Sequence, residues 1–219
     1  MSNPEPADKH DAHDARGKHD RHDAQDAHDD YAIVTAAASA GGIHALATLL
    51  GGLGADFPLP VLVVQHLDPR HRTVLAEILA RRTDLTVKLA QHDEAARPGT
   101  VHIAPPDRHL LIGPDGTLSL TQSELVHFLR PSADLLFESV AGAYGRRAIA
   151  VVLSGTGNDG AMGVEAVKSR GGTVIAQDPH AAEFRGMPEA AVGTGAVDFV
   201  LSLEEIPAVI RGLVDIKRQ

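Results

Sequence analysis

From Tyr31 onward the chain alternates short runs rich in Val, Ile and Ala with longer stretches whose apolar residues recur every three to four positions. This alternation of strand-like and helix-like periods narrows the fold more than any other feature. Strand-like runs fall at 31–37, 61–65, 86–90, 100–103, 148–154, 173–177 and 197–201. Those at 61–65 and 148–154 are nearly continuous in apolar residues, and a strand without a polar face is buried on both sides, as in a parallel sheet covered by crossover helices. Helix-like stretches fall between them at 42–50, 71–82, 132–144, 161–170 and 204–213. In the first, Ile43, Leu46, Ala47 and Leu50 share a face, and the Gly51–Gly52 pair is expected to stop it. Ser132 is the expected N-cap of the third, with Arg130–Pro131 as a rigid entry. Residues 110–120 break the rhythm: two short alternating runs flank Pro-Asp-Gly, which predicts a β-hairpin outside the main sheet. The expectation is one α/β domain, a single doubly wound and mostly parallel sheet flanked by helices, with an inserted hairpin. At 43% hydrophobic residues over 219 positions there is enough apolar mass for one good core.

Residues 1–30 stand apart, with five His, nine acidic and four basic residues and no apolar side chains beyond Met1 and alanines. Such a segment cannot bury enough surface to offset the entropy of folding, so it reads as a disordered tail that the domain from 31 to 219 does not need in order to fold. Its imperfect His-Asp-Ala repeat, at 10–12, 13–15 and 22–24, is compatible with weak divalent-metal binding. Imidazoles on a flexible chain are not preorganised, and a solvated tail without a metal is the expectation.

Composition removes several chemistries. The chain has no cysteine, which excludes disulfides, thiolate metal sites and thiol nucleophiles, so a nucleophile must be an oxygen or a nitrogen. A formal net charge of -9 disfavours nucleic acid as a partner. The opening residues lack a signal peptide's apolar stretch and no later run is long enough to span a membrane, so no membrane insertion and a cytoplasmic location are expected.

In an open parallel sheet, sites form beyond the carboxyl ends of the strands, and three polar segments fall there. In Ala37-Ala38-Ser39-Ala40-Gly41-Gly42, Ser39 lies in a strand-to-helix turn. The small residues two positions either side of it, Ala37 and Gly41, meet the steric condition for a sharp elbow that exposes a serine oxygen. The helix that follows would aim backbone N–H groups at a developing oxyanion. A plain helix cap explains Ser39 equally well at this stage. In Gln65-His66-Leu67, His66 ends the second strand and is placed to face Ser39. In Ser154-Gly155-Thr156-Gly157-Asn158-Asp159-Gly160, a buried strand gives way to three glycines and a carboxylate, and Asp159 could orient His66 through its Nδ1–H. The last segment also spells Gly-x-Gly-x-x-Gly, with Asp178 at the end of the next strand where a ribose-binding acid would sit, so nucleotide binding is a rival reading.

With these segments in view, the chain from about Tyr31 to Leu213 resembles the catalytic domain of the CheB-type chemotaxis protein-glutamate methylesterases. The likeness runs collinearly through Ala38-Ser39-Ala40-Gly41-Gly42, Gln65-His66, the stretch 98–105, Asp107-Arg108-His109, Arg130-Pro131-Ser132-Ala133-Asp134, Gly157-Asn158-Asp159-Gly160-Ala161, the stretch 171–178 and Gly186-Met187-Pro188. The resemblance implies a parallel α/β serine hydrolase that needs no cofactor, cleaves glutamyl γ-methyl esters on a methylated chemoreceptor-like protein with release of methanol, and in some members deamidates glutamine. It places the nucleophile on Ser39, the general base on His66 and the orienting acid on Asp159, with backbone N–H groups at Ala40 and Thr156 lining the oxyanion hole. Where the family usually carries Gly, Thr and Met, this chain has Ala37, Ala40 and Thr156, which keeps the steric requirement but alters substrate contacts. The family's usual N-terminal phosphoacceptor domain has no counterpart in residues 1–30, which leaves regulation in cis by such a domain unexpected and a separate receiver-domain protein as one open route. Beside the methylesterase reading stands a catalytically altered relative that binds a protein or a nucleotide.

Overall fold

The computed structural model describes residue 1 and residues 30–67 and 73–216; the His/Asp-rich segment and the first positions of the 71–82 stretch lie outside the described residues. Seven parallel strands form one sheet: β1 (Ile33–Ala38), β2 (Val61–Gln65), β3 (Thr86–Leu89), β4 (Thr100–Ile103), β7 (Ala148–Val152), β8 (Thr173–Gln177) and β9 (Phe199–Leu201), in the order β3-β4-β2-β1-β7-β8-β9. β5 (His109–Ile112) and β6 (Leu118–Thr121) pair antiparallel as the expected hairpin outside that sheet. The helices are α1 (Gly42–Leu53), α2 (Leu75–Ala80), α3 (Ala133–Tyr144), α4 (Ala161–Ser169), α5 (Gly186–Gly193) and α6 (Ile206–Ile216).

The central strands β1, β2, β7 and β8 are buried on both faces because their alternate residues feed two separate cores. From β1, Val34, Ala36 and Ala38 pack with Leu46, Leu49 and Leu50 of α1 and with Ile206 and Ile210 of α6. Ile33 and Ala37 face Leu136, Phe137 and Val140 of α3, Val164 of α4 and Leu110 of the hairpin. Two apolar faces on one strand explain the missing polar alternation. Chain direction makes β1 the pivot: β2 adds on one side and β7 on the other, so the crevice beyond their carboxyl ends is a topological switch point.

Two expectations about α1 fail. It runs through Gly51–Gly52 to Leu53 and ends at Gly54, and its buried face is Ala45, Leu46, Leu49, Leu50 and Leu53, with Ile43 exposed. The two glycines serve close packing: a Cβ on Gly52 would lie 2.6 Å from Pro207 of α6, and one on Gly51 2.8 Å from the Arg82 carbonyl oxygen. Neighbouring elements supply contacts that outweigh the helix penalty of glycine, about 1 kcal/mol each. Helix α5 carries no helical signal in its sequence, because glycines open and close it and a proline sits in its first turn.

Candidate active site

Ser39 directly follows β1. Its N–H donates to the Ser154 carbonyl (3.0 Å) and its own carbonyl accepts Gly42 N–H (2.9 Å), which turns the chain sharply from β1 into α1. The turn depends on Gly41 at φ 72, a left-handed conformation that favours glycine, and a Cβ there would come within 2.7 Å of Ser154 Oγ. Gly41 is therefore the N-cap of α1, with no side-chain capping bond. Among the described residues Ser39 Oγ makes no hydrogen bond, which removes the cap explanation for that serine.

Asp159 approaches from the loop after β7 and is 1% exposed. Its Oδ1 accepts the Ser132 hydroxyl (2.9 Å) and Asp134 N–H (3.1 Å), and its Oδ2 accepts Ala133 N–H (2.7 Å) and the His66 ring (2.8 Å). The carboxylate thus sits on the open N–H groups of α3, where the helix dipole also favours a negative charge. Burial alone would push its pKa up, but the bonds from His66, Ala133 and Asp134 outweigh that and hold it below the usual carboxylate value. Asp134 returns the arrangement: its Oδ1 accepts Gly160 N–H (2.9 Å) and Gly163 N–H (2.8 Å) at the start of α4. Each helix is capped by a carboxylate from the other's first turn or entry loop. Asp134 is 2% exposed, its Oδ2 has no hydrogen-bond partner, and burial first, then the Asp159 charge, push its pKa up to about 6. Buried His109 steadies the entry to α3, accepting Ser132 N–H at Nδ1 (3.1 Å) and reaching the Glu124 carbonyl with Nε2 (3.1 Å). That pattern requires a neutral ring, in keeping with the downward pKa shift that burial causes.

His66 is joined to Asp159 as expected, but through Nε2 rather than Nδ1. The carboxylate is held back at the start of α3, and the ring spans the gap from β2 with its outer nitrogen. Nδ1 then remains for proton exchange. Backbone bonds bring the loops of Ser39 and His66 side by side: His66 N–H donates to the Ala38 carbonyl (3.1 Å), while the Gln65 side-chain amide donates to the carbonyls of Ser39 (2.7 Å) and His66 (3.0 Å). No hydrogen bond joins Ser39 Oγ to the His66 ring among the described residues.

Ala40 N–H and Thr156 N–H, the two expected oxyanion donors, donate to no acceptor among the described residues. Their loops are nonetheless braced. Ser154 Oγ donates to the Ala40 carbonyl (2.9 Å) and accepts Phe184 N–H (3.0 Å), and Gly155 N–H donates to the Phe184 carbonyl (2.9 Å). Gly155 lies against Ser39: a Cβ there would fall 2.9 Å from Ser39 Cβ and 2.2 Å from Met187 Sδ. Sequence reasoning assigned no role to Gln65, Asp134, His109 or Ser154. For Gln65, His109 and Ser154 the available signal was a polar side chain at the edge of an apolar strand, which must find partners when buried; Asp134, in the first turn of α3, reads only as an ordinary first-turn acid.

The nucleotide reading finds its helix-start donors occupied. The N–H groups of Gly160 and Gly163 that a phosphate would need are taken by Asp134. Asp178 turns its Oδ1 onto His180 N–H (2.8 Å) in a local turn.

The chain is 45% identical over 181 residues to protein-glutamate methylesterase/protein-glutamine glutaminase 2 of Anaeromyxobacter dehalogenans and 41% identical over 186 residues to protein-glutamate methylesterase FrzG of Myxococcus xanthus. These alignments cover 83% and 85% of this chain but 53% and 56% of the relatives, so the chain spans about half their length. A Leptospira interrogans relative, 40% identical over 177 residues, is covered over 92% of its length and 81% of this chain. The solved catalytic domain of the Thermotoga maritima CheB methylesterase superposes with a TM-score of 0.79 at 36% identity, covering 85% of this chain and 98% of that one. Fold and relatives together define a carboxylic-ester hydrolase of the protein-glutamate methylesterase type. The CheB methylesterase family model matches residues 34–210, and the chain belongs to that family. Among the described residues no helix is long and apolar enough to cross a membrane.

Proposed function

We propose that this chain hydrolyses glutamyl γ-methyl esters on a methylated chemoreceptor-like protein, with Ser39 as nucleophile, His66 as general base and Asp159 as the acid that orients it. The observation that carries the reading is the His66–Asp159 bond (2.8 Å), anchored on α3 one strand away from a serine at a strand-to-helix elbow. Ser39 Oγ attacks the ester carbonyl while its proton passes to His66 Nδ1. The tetrahedral oxyanion takes hydrogen bonds from Ala40 N–H and Thr156 N–H, donors left open for it. Collapse expels the methoxy group, which leaves as methanol with the proton from His66. Water then attacks the acyl-serine, gives a proton to His66, and frees the glutamate carboxylate and Ser39. With a glutamine side chain the same steps release ammonia. The Ala40 and Thr156 side chains, where the family usually has Thr and Met, adjust contact with the particular receptor.

The test is methanol release from methylated receptor by the wild type and by Ser39→Ala. The expected result is turnover lowered by about 10⁴-fold or more in the variant. Turnover within a few fold of wild type would remove Ser39 from the mechanism.

A further inference from the structure

We infer that Gln65 is the positioning residue that aims the Ala40 N–H and ties the nucleophile's loop to the base; this rests on the methylesterase reading above. Gln65 ends a strand otherwise made of Val and Leu and is 3% exposed, so its amide is costly to bury unless its donors are used. Both go to the site. Its Nε2 donates to the Ser39 carbonyl at 2.7 Å and the His66 carbonyl at 3.0 Å, making one side chain the bridge between the two peptides.

The geometry of the peptide unit gives this bridge its effect. Ser39 C=O and Ala40 N–H belong to one planar trans peptide, in which the two groups point in opposite directions. Holding the oxygen from the Gln65 side, with Gly42 N–H as second donor at 2.9 Å, directs the Ala40 N–H away from Gln65 and prevents it from swinging. That N–H has no acceptor among the described residues, so nothing on its own side fixes it. A donor that must meet a charge present only in the transition state has to be aimed beforehand. The same amide fixes His66 at its carbonyl, while the Ala38 carbonyl holds its N–H at 3.1 Å. Gly42 completes the fit: a Cβ there would lie 2.1 Å from Gln65 Oε1 and 2.7 Å from Ala38 Cβ, so only glycine leaves room between the amide and β1.

Two variants of the full chain test the inference. Gln65→Met keeps the approximate volume and removes both donors, whereas Gly42→Ala keeps the amide and pushes it aside. Each is expected to lower kcat for methyl-ester hydrolysis by roughly 10- to 100-fold, less than deleting an oxyanion donor outright, with KM within about twofold. Phosphonylation of Ser39 by a fluorophosphonate, which also builds negative charge on an oxygen, should slow in the same ratio. A purely structural role would lower the melting temperature yet leave kcat per active site unchanged, and that result overturns the inference. If Gln65→Met fails to fold, Gln65→Glu, which keeps the shape and replaces the donors with acceptors, decides by the same two readouts. A wild type that hydrolyses ester through Ser39 while the folded variants match its kcat defeats the role of Gln65 only. A wild type with neither methanol release nor phosphonylation defeats the methylesterase reading and this inference with it.

Discussion

The two halves of the site are built in opposite ways. Around Asp159 every lone pair within reach is engaged, by a hydroxyl, two backbone N–H groups and an imidazole, and Asp134 closes the neighbouring helix in return. Around Ser39 the residues are small, the hydroxyl makes no bond, and the Ala40 and Thr156 N–H groups have no acceptor among the described residues. The difference follows from when charge appears. Asp159 carries its charge throughout and must be solvated by fixed protein dipoles once buried. The oxyanion exists only in passing, and donors already satisfied could not stabilise it.

Within the saturated half, the larger effect is expected from disturbing its link to the base. Asp159→Asn should keep the fold, since the amide oxygen can still accept from α3, but lower ester turnover by about tenfold to 10⁴-fold because the amide N–H favours the wrong imidazole tautomer. Initial rates of methanol release measure it. Unchanged turnover, or micromolar nucleotide binding tightened by the same substitution, would reverse the roles assigned to the two halves.

A smaller effect, of opposite sign, is expected at the other carboxylate. The folded-state pKa of Asp134, about 6, lies above the ordinary 3.8. Its contribution to stability is therefore full below pH 3.8 and is lost as pH rises through about 6. Asp134→Asn keeps an oxygen for Gly160 and Gly163 and removes the charge beside Asp159. It should be more stable than the wild type at pH 7.5 by about 1–2 kcal/mol, with the gain fading toward pH 4. Asp159 acts in the contrary sense, its lowered pKa giving stability above the ordinary carboxylate value that is lost in acid. Urea unfolding at both pH values checks the sign; a variant less stable at pH 7.5 would mean that the Asp134 charge is needed.

The same contrast governed what could be read from the chain. The central strands were legible because burial on both faces leaves mostly apolar residues, and β2 and β8 match their expected bounds residue for residue. The hairpin was legible from its turn residues, and Ser132 capped α3 as expected. What escaped depends on tertiary neighbours that no local pattern records. Gly51–Gly52 looked like a stop until Pro207 and Arg82 came into contact with them. α5 was hidden by its glycines, although its Met187 packs against Gly155 in the site. In the site, Ser39, His66 and Asp159 could be proposed from their placement at strand ends. The ring nitrogen facing Asp159 could not, because it follows from how far the carboxylate is drawn onto α3. Asp134 and Gln65 were equally hidden, since the bonds from Asp134 to Gly160 and Gly163 and from Gln65 to Ser39 span 26 to 29 residues.

The most direct measurement of the central claim is the site and rate of covalent labelling by a fluorophosphonate in wild type and Asp159→Asn, read by mass spectrometry of the peptide containing Ser39. The open half should react and the saturated half should set its rate: one adduct, on Ser39, formed at least about tenfold more slowly in the variant. An adduct on another residue, or equal rates in the two proteins, would contradict it.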